Sequence, residues 1–580
     1  YYAISGATYD NQPDNFLCQK SKVVTYSNTV TNEARSETTT YEYSLDGNLL
    51  SQAEPDGKTT TWEYFPAIGG EECPADPHGF CRYIKSETVT PAGTEFDTPV
   101  KAKHYTYISI PTAAGAQEVL DHAVVQNSVL STSDKKVLLQ VAQEYLADNS
   151  SPYYGKVFRS TISKAGVEGG ALDYVSTEET TWETDDIYAT RTVMYYPFDY
   201  DGTNHTSMIV KYYPLSLKEY IVTDTEGNTT EYYYDDLDRL TKSIKNRLSI
   251  YETNINYTYQ MEEIEPESGV FVPSMTIKDE KGNTSKNIYD GLGNIVRQAK
   301  LINDVWTVVF ERKYDSFGRE YYNDRRDRLN GIDALVSQEM AFNDWGMVKS
   351  IQYNDGHYEY NDYDPITMKA TLWQESATET TSQTVTQYNV NNAVTSKWKI
   401  NSLGQNIGVK NFHYDGLGQL RSIVDDAGVF LTYDYDSYGR VIHTTLADGT
   451  KVRKIYAGHT NEKLITHIYA DDRLLGEQTF DGLGRLKAST VANRTQQFVY
   501  ELDKPCPYRT LTQDGQVLEY EYITELGNVV RSVKDKDSLI LQEMTYDPVS
   551  GDLLTGVNAE GIKFVNTYNN DSTLATETFT

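Results

Sequence analysis

Apolar and polar positions along this chain alternate in short runs rich in Thr, Val and Tyr, as in Asn228-Thr-Thr-Glu-Tyr-Tyr-Tyr234. Each run stops at a Gly- or Asp-containing turn signal. Strand-like runs separated by turns every 8–12 residues or so predict an all-β chain. At that spacing 580 residues accommodate about 40–50 strands.

The turns fall into two families that alternate. The first is a motif of aromatic, Asp, any residue, apolar, Gly, then Arg, Asn or Gln, then an aliphatic. Its clear copies are Tyr289-Asp290-Gly-Leu-Gly293, Tyr414-Asp415-Gly-Leu-Gly418, Tyr435-Asp436-Ser-Tyr-Gly439, Phe480-Asp481-Gly-Leu-Gly484 and Tyr314-Asp315-Ser-Phe-Gly318. Weaker copies start at Tyr234-Asp235, with Asp238 in the Gly place, at Phe342-Asn343 with Gly346, and at Tyr546-Asp547 with Gly551 one place late. Asp opening a type I turn bonds its own backbone two residues on, and a Gly at the fourth place takes positive φ. Such a turn followed by a left-handed Gly makes a hairpin with a bulge. The flanking Tyr and aliphatic residues are then ends of antiparallel strands. The second family is a short polar-Gly step at Gly57, Gly227, Gly282, Gly356, Gly428, Gly449, Gly515 and Gly561. Each is followed seven residues later by a Tyr: Tyr64, Tyr234, Tyr289, Tyr363, Tyr435, Tyr456, Tyr522 and Tyr568.

Residues 221–580 carry this alternation regularly. Residues 1–220 form a degenerate version continuous with it, with no linker between and with insertions at Cys73–Cys81 and Pro111–Ala116. The segment Gln117–Leu146 has helix-compatible composition but lacks caps, and is expected to be mostly strand.

Composition changes this picture in two ways. With 52 Lys and Arg against 84 Asp and Glu, the net charge is −32, which argues against a nucleic-acid binder. Exchanging Tyr for Gly in the hydrophobic set leaves roughly 37% of the chain, below the usual 45–50%. A thin-walled object fits that share better than several solid globules. The excess of 48 Tyr over 16 Phe suits a wall wet on both faces, where the ring packs across strands and the phenol tip meets water. No apolar run reaches the roughly 18 residues of a membrane span. The chain opens on Tyr1 without an initiating Met or a secretion signal, so a processed or truncated piece is expected.

The Tyr-Asp motifs resemble the YD repeats of the Rhs family, which includes bacterial Rhs polymorphic toxins, the B and C components of insecticidal toxin complexes, and metazoan teneurins. The resemblance is strong over about 220–570 and weaker before. The stretch Cys73-Pro-Ala-Asp-Pro-His-Gly-Phe and Thr-Val-Thr-Pro91 favours the bacterial branch. What the resemblance implies is a long antiparallel sheet of β-hairpins coiled into a hollow shell, here an open or incomplete one. The function it implies is non-enzymatic sequestration of a toxin polypeptide, supplied by the protein's own C-terminal region or by a partner chain, with a second Rhs chain as a further partner that completes the shell. The alternative is a cell-surface adhesion or glycan-binding YD-repeat protein. Bacterial origin, and a secreted or cell-surface place after delivery, are implied with it. The family's autoproteolytic Asp-Pro-x-Gly-Leu-like signature is not matched. Its nearest counterpart, Asp547-Pro548-Val-Ser-Gly551, reads as another hairpin, so no catalytic residue is carried over.

Other candidate sites rank below this reading. The acidic surplus invites a glycosidase with two carboxylates about 5–9.5 Å apart, but turn and strand-surface roles explain these residues better. Asp199-Tyr-Asp201-Gly-Thr-Asn204 could hold Ca²⁺ weakly but lacks EF-hand spacing. Cys73, Cys81 and His78 make three metal-ligand candidates where zinc wants four. Free thiols are favoured there over a local disulfide. Arg239, Arg319, Arg440 and Arg485 are expected to pair with neighbouring Asp in surface bridges worth about 0–1 kcal/mol. Sequons such as Asn228 and Asn283 matter only in a eukaryotic source. No cofactor, metal or catalytic group is expected.

Overall fold

A computed structural model describes the chain apart from residues 29, 111–123, 131–134, 149, 167–170, 186, 200–203, 264–268, 330–331, 402, 429 and 570–571. The expectation for 111–116 and parts of those for 117–146 and 199–204 lie outside the described residues. Of the 117–146 segment, Val124–Leu130 and Lys135–Tyr145 are strands.

The described chain forms one sheet of 43 strands. Each strand pairs antiparallel with the next in sequence, from Ser21–Asn28 against Glu33–Tyr43 to Lys563–Tyr568 against Leu574–Phe579. The only helical elements among the described residues are two three-residue 3₁₀ turns, Tyr9–Asn11 and Thr524–Leu526. The all-β sheet of hairpins expected from the turn spacing is therefore the fold. It is not closed: the first and last strands do not pair with each other.

The two turn families occupy opposite edges of the sheet. Motif turns join an even-numbered strand to the next odd one, as between Thr284–Tyr289 and Ile295–Ile302 or between Phe430–Tyr435 and Val441–Thr445. Short polar-Gly turns join odd to even, as between Phe271–Lys278 and Thr284–Tyr289. The seven-residue step from Gly to Tyr is the width of a strand: Thr229–Tyr234, Phe430–Tyr435 and Lys451–Tyr456 are each six residues long.

The ribbon coils on itself. Contacts tie the connection after the third strand to that after the twenty-sixth, the fifth to the twenty-eighth, the eleventh to the thirty-fourth and the seventeenth to the fortieth. They are made by Asn391 to Asp56, Ala92 to Gly416, Gly482 to Asp199 and Lys281 to Asp552, an offset of 23 strands each time. An odd offset is required. Alternate turns lie on opposite edges, so the short-turn rim of one revolution meets the motif rim of the next only across an odd number of strands.

The wall is one layer thick. The accessible surface is 34350 Å², whereas a compact monomer of 65.7 kDa would expose roughly 21,000 Å². Fully buried apolar side chains are few and scattered. The one apolar cluster among them, Phe65, Cys73 and Tyr83 with Tyr107 against it, lies where the connection 65–83 folds onto the rim. Cys73 and Cys81 are not joined in a disulfide, and the Cys73 thiol donates to the Pro74 carbonyl at 3.4 Å.

Candidate functional site

The working parts of this wall are the motif turn, the tyrosine that leads into it and the seam between revolutions. In the turn at 435–441, one Asp436 carboxylate oxygen accepts the backbone N–H of Tyr438 (3.0 Å) and of Arg440 (2.9 Å), and the other accepts Arg440 Nε (2.8 Å). Gly439 closes the turn by donating to the Asp436 carbonyl at φ 81°. Asp235, Asp315 and Asp481 hold their turns in the same way, each gripping the Arg four residues on. At Asp290 the fourth-place partner is Asn294 instead. Asp415 accepts the amides of Leu417 and Gln419. Gly293, Gly318, Gly418 and Gly484 lie at φ 87°, 78°, 82° and 79°. Asp238, standing in the Gly place after Tyr234 and Asp235, takes φ 59°.

These bonds shift the carboxylates. The guanidiniums of Arg239 and Arg319 and the turn amides hold Asp235 and Asp315 below the usual carboxylate range. At Asp290 burial pushes upward, but the Asn294 side chain and the turn amides outweigh it.

The expected bridges are made to the neighbouring Asp of the same turn, but two of them, at Arg440 and Arg485, are not at the surface. Arg440 and Asp436 are each only 2% exposed in their side chains. The guanidinium also donates to the carbonyls of Ala457, Thr460 and Glu462. The 0–1 kcal/mol expected of an exposed pair does not apply there, because both charges have left water.

The motif tyrosines correct a second expectation. At least five of the hydroxyls bond to backbone instead of water. Tyr435 donates to the Leu420 carbonyl (2.6 Å), Tyr456 to Val441 (2.7 Å), Tyr414 to Val394 (2.8 Å), Tyr568 to Leu553 (2.9 Å) and Tyr64 to Leu49 (3.0 Å). Each acceptor is the aliphatic residue that ends the preceding motif or its equivalent. The hydroxyl thus ties one hairpin to the one before it along the rim, a bond Phe cannot make. Burial raises the pKa of Tyr64, Tyr414, Tyr435 and Tyr456, and that of Tyr522 to about 12. Tyr314 donates to Ile295 at 3.4 Å.

At the seam, motif turns of the second revolution sit on loops of the first. The Tyr438 hydroxyl donates to the carbonyls of Leu138 and Ala165, both at 2.9 Å. The Lys164 ammonium lies 4.1 Å from the centre of the Tyr438 ring and is almost wholly buried. Burial and the nearby Arg440 bring its pKa down to about 8. Gly482 N–H donates to the Asp199 carboxylate (2.8 Å), Ala92 N–H to the Gly416 carbonyl (3.0 Å) and Lys281 to Asp552 (3.0 Å). Asp199 is thus a seam acceptor. The first-revolution loops that receive Gly416 and Gly482 carried no repeat signal. Their trace in the sequence is Pro91 and Pro197 in connections longer than the short Gly turns.

Among the described residues no group of three or more His, Cys, Asp or Glu is placed to hold a metal ion. The histidines nearest acids, such as His104 to Glu72 (3.1 Å) and His413 to Glu95 (3.4 Å), form isolated pairs at the wall surface. What the arrangement does chemically is hold a wide single-layer wall in register.

The RHS Repeat family matches residues 414–451. No curated protein sequence matches the chain. A solved chain of the Photorhabdus luminescens Tc holotoxin pore, carrying a mutation in TccC3, matches with a TM-score of 0.58 at 11% identity, covering 96% of this chain and 34% of the solved one. Crystal structures of TcdB2-TccC3-TEV and TcdB2-TccC3-Cdc42 match with TM-scores of 0.38 and 0.37 at 10% identity, each over 96% of this chain and 44% of theirs. The chain spans about a third of the length of the holotoxin chain whose fold it shares.

Proposed function

We propose, from the premise that this is an RHS-repeat chain with the fold found in a Tc toxin, that it is a non-enzymatic wall segment of a shell that sequesters a toxin polypeptide for delivery. The single observation that carries this reading is the seam: successive revolutions are bonded rim to rim, so the sheet encloses space instead of filling it. With seam offsets of 21 to 25 strands, about 23 per revolution, at about 4.8 Å each, the circumference is roughly 110 Å and the diameter roughly 35 Å. An unfolded chain or a small domain fits inside once side chains are allowed for. The cargo is the protein's own C-terminal region or a partner chain, and a second RHS chain extends the shell. A secreted, bacterial setting follows from the same reading.

The test is co-expression of the complete shell with a basic cargo polypeptide, followed by protease treatment. Protected cargo that becomes digestible when the seam is broken supports the reading; cargo cleaved equally with and without the shell overturns it. The charge of −32 supports a finer point, that acids lining the interior help to retain a basic cargo. Neutralising inward-facing acids should then weaken retention more than neutralising outward ones. Equal retention in about 1 M salt, where screening shrinks to about 3 Å, would leave physical enclosure alone.

A further inference from the structure

The loop from Ala457 to Leu464 belongs to the second revolution and is held on one side by a buried charge. Its ends meet where the Ala457 N–H donates to the Leu464 carbonyl (2.8 Å), and the Arg440 guanidinium donates to the carbonyls of Ala457, Thr460 and Glu462. Its other side meets the first revolution, at connections 23 and 21 strands earlier. The His459 ring stacks on Phe198, with centres 4.8 Å apart and planes at 25°, and lies 6.5 Å from the Tyr174 ring. Tyr174 and Phe198 themselves meet edge to face at 5.3 Å. A Cβ on Gly458 would run into the Tyr174 ring and hydroxyl, so the loop lies this close because that side chain is absent.

His459 Nε2 is buried and has no hydrogen-bond partner among the described residues, and the same holds for the ammonium of Lys164 under the Tyr438 ring. Arg440 adds another buried cation to this stretch of seam, matched by Asp436. The acids that face the histidine are engaged elsewhere or wet. Asp199 accepts the Gly482 N–H, Asp481 is taken up by Arg485 and by the amides of its own turn, and Glu462 stands exposed beside Lys463. Burial therefore decides. It holds His459 below its usual value, Lys164 adds to it, and the pull of Asp199, Asp481 and Glu462 does not reverse it.

A neutral ring stacked on Phe198 suits this place. An imidazolium does not, because its added N–H is buried without an acceptor near a buried ammonium. In a parted seam the ring returns to water and takes its proton at about pH 6.5. The parted form binds more protons between that value and the lower one of the closed form, so the closed form loses ground as pH falls through the window. Five other histidines, His104, His357, His413, His443 and His467, each lie beside a carboxylate, where a proton strengthens an ion pair. Turn carboxylates such as Asp235 and Asp315 are held below the usual carboxylate range and stay ionised in mild acid.

We propose that His459, seated against Phe198 and Tyr174, is an acid-sensitive latch on the seam, which lets the two revolutions part at this point when the surroundings turn mildly acidic. In a shell that encloses a polypeptide, the latch opens a side exit on entry into an acidic compartment. That consequence rests on the encapsulating reading; the latch itself rests on the seam alone.

The test is hydrogen exchange of the full chain, read by mass spectrometry at about pH 7.5 and about pH 5, with labelling times lengthened to offset slower intrinsic exchange in acid. Peptides covering 455–466 and 157–165 read the latch. Peptides around Asn228 and Thr524, bonded across the seam at 3.4 Å, are the control. The parent chain should lose protection several-fold at the latch in acid while the control keeps its own. His459→Phe, which keeps the stack and takes no proton, should hold protection at both pH values. Lys164→Met should shrink the acid loss, because one cation fewer then faces the histidine. Unchanged protection of the parent in acid, an equal acid loss in His459→Phe, or a loss shared by the control peptides overturns the latch. Should His459→Phe fail to fold, an acid loss in Lys164→Met as large as in the parent overturns it. Cargo digestion is read separately. Cargo protected at both pH values behind an unaltered seam leaves enclosure standing and removes the latch; a seam that parts in acid around cargo never protected at neutral pH does the reverse.

Discussion

Arg440 and Asp436 form an ion pair at 2.8 Å with both side chains 2% exposed, inside a turn that some other copies of the repeat leave at the surface. The equivalent Arg239 keeps 45% of its side chain exposed. The same sequence device therefore has two energetic meanings, set by what lies above the turn. Arg440→Leu strands a buried carboxylate and should cost about 3–5 kcal/mol. Arg239→Leu should cost about 0–1 kcal/mol. Denaturant melts of the two variants compare them directly, and equal losses would contradict the assignment.

Gly482→Ala should destabilise the seam, because the new methyl meets Asp199, whereas Gly291→Ala should leave the isolated chain unchanged. Gly484→Val, at φ 79°, should cost about 1–3 kcal/mol whatever packs near it. Hydrogen exchange at the first-revolution strands beside Asp199 reads the seam; unaltered protection in Gly482→Ala would show that the contact is not made.

Replacing the tyrosines of the ladder one at a time by Phe should cost about 0.5–1.5 kcal/mol each, the net worth of one hydrogen bond. Tyr435→Phe and Tyr456→Phe lose bonds of 2.6 and 2.7 Å. Tyr9→Phe, at a 79% exposed ring, should cost nothing measurable. Thermal melts that rank all three alike would remove the ladder as a source of stability.

The same tyrosines set an alkaline limit. Their folded pKa values are raised by burial, to about 12 at Tyr522 and Tyr438. Stability from keeping them protonated is complete below the unfolded value near 10 and is lost as pH rises through the folded values. Unfolding midpoints should fall between about pH 10 and 12, and Tyr522→Phe should blunt that fall.

Lys164 acts in the opposite direction. Its pKa is about 8 in the fold against 10.5 in the free side chain, so the unfolded chain holds more protons between those values and stability rises with pH across the window. At pH 7 the buried charge is a burden. Lys164→Met should stabilise the chain by about 1–4 kcal/mol, as other replacements of buried ions do, and the gain should shrink toward pH 10.5. Melting curves at pH 7 and 10 give the comparison.

Much of this architecture was legible in local spacing. The Asp–Gly turns, the six-residue strands ending in Tyr234 or Tyr435 and the two turn families all follow from residues within one hairpin of each other. The seam was not legible. Tyr438 meets Ala165 at an offset of 21 strands and Gly482 meets Asp199 at 23, because an odd number of strands near 23 completes a revolution, and no pattern within a hairpin records that number. The direction of the phenol groups was missed for a related reason. The acceptor of Tyr435 is the carbonyl of Leu420, and a main-chain atom leaves no trace in side-chain chemistry. The exposed Asp-Gly-Leu-Gly at 290–293 and its twins at 415–418 and 481–484, docked at the seam, are indistinguishable as sequence; only the neighbours differ.

The odd strand count has a consequence for how such a wall can change size. Adding or removing one strand would send every later turn to the wrong edge, putting motif turns against motif turns. Whole hairpins can be gained or lost, because 21 or 25 strands still match unlike edges. Bore therefore varies in increments: two strands add about 9.6 Å of perimeter, or about 3 Å of width. A lineage of such chains could fit its interior to new contents only by these steps, with each longer or shorter relative differing by complete hairpins.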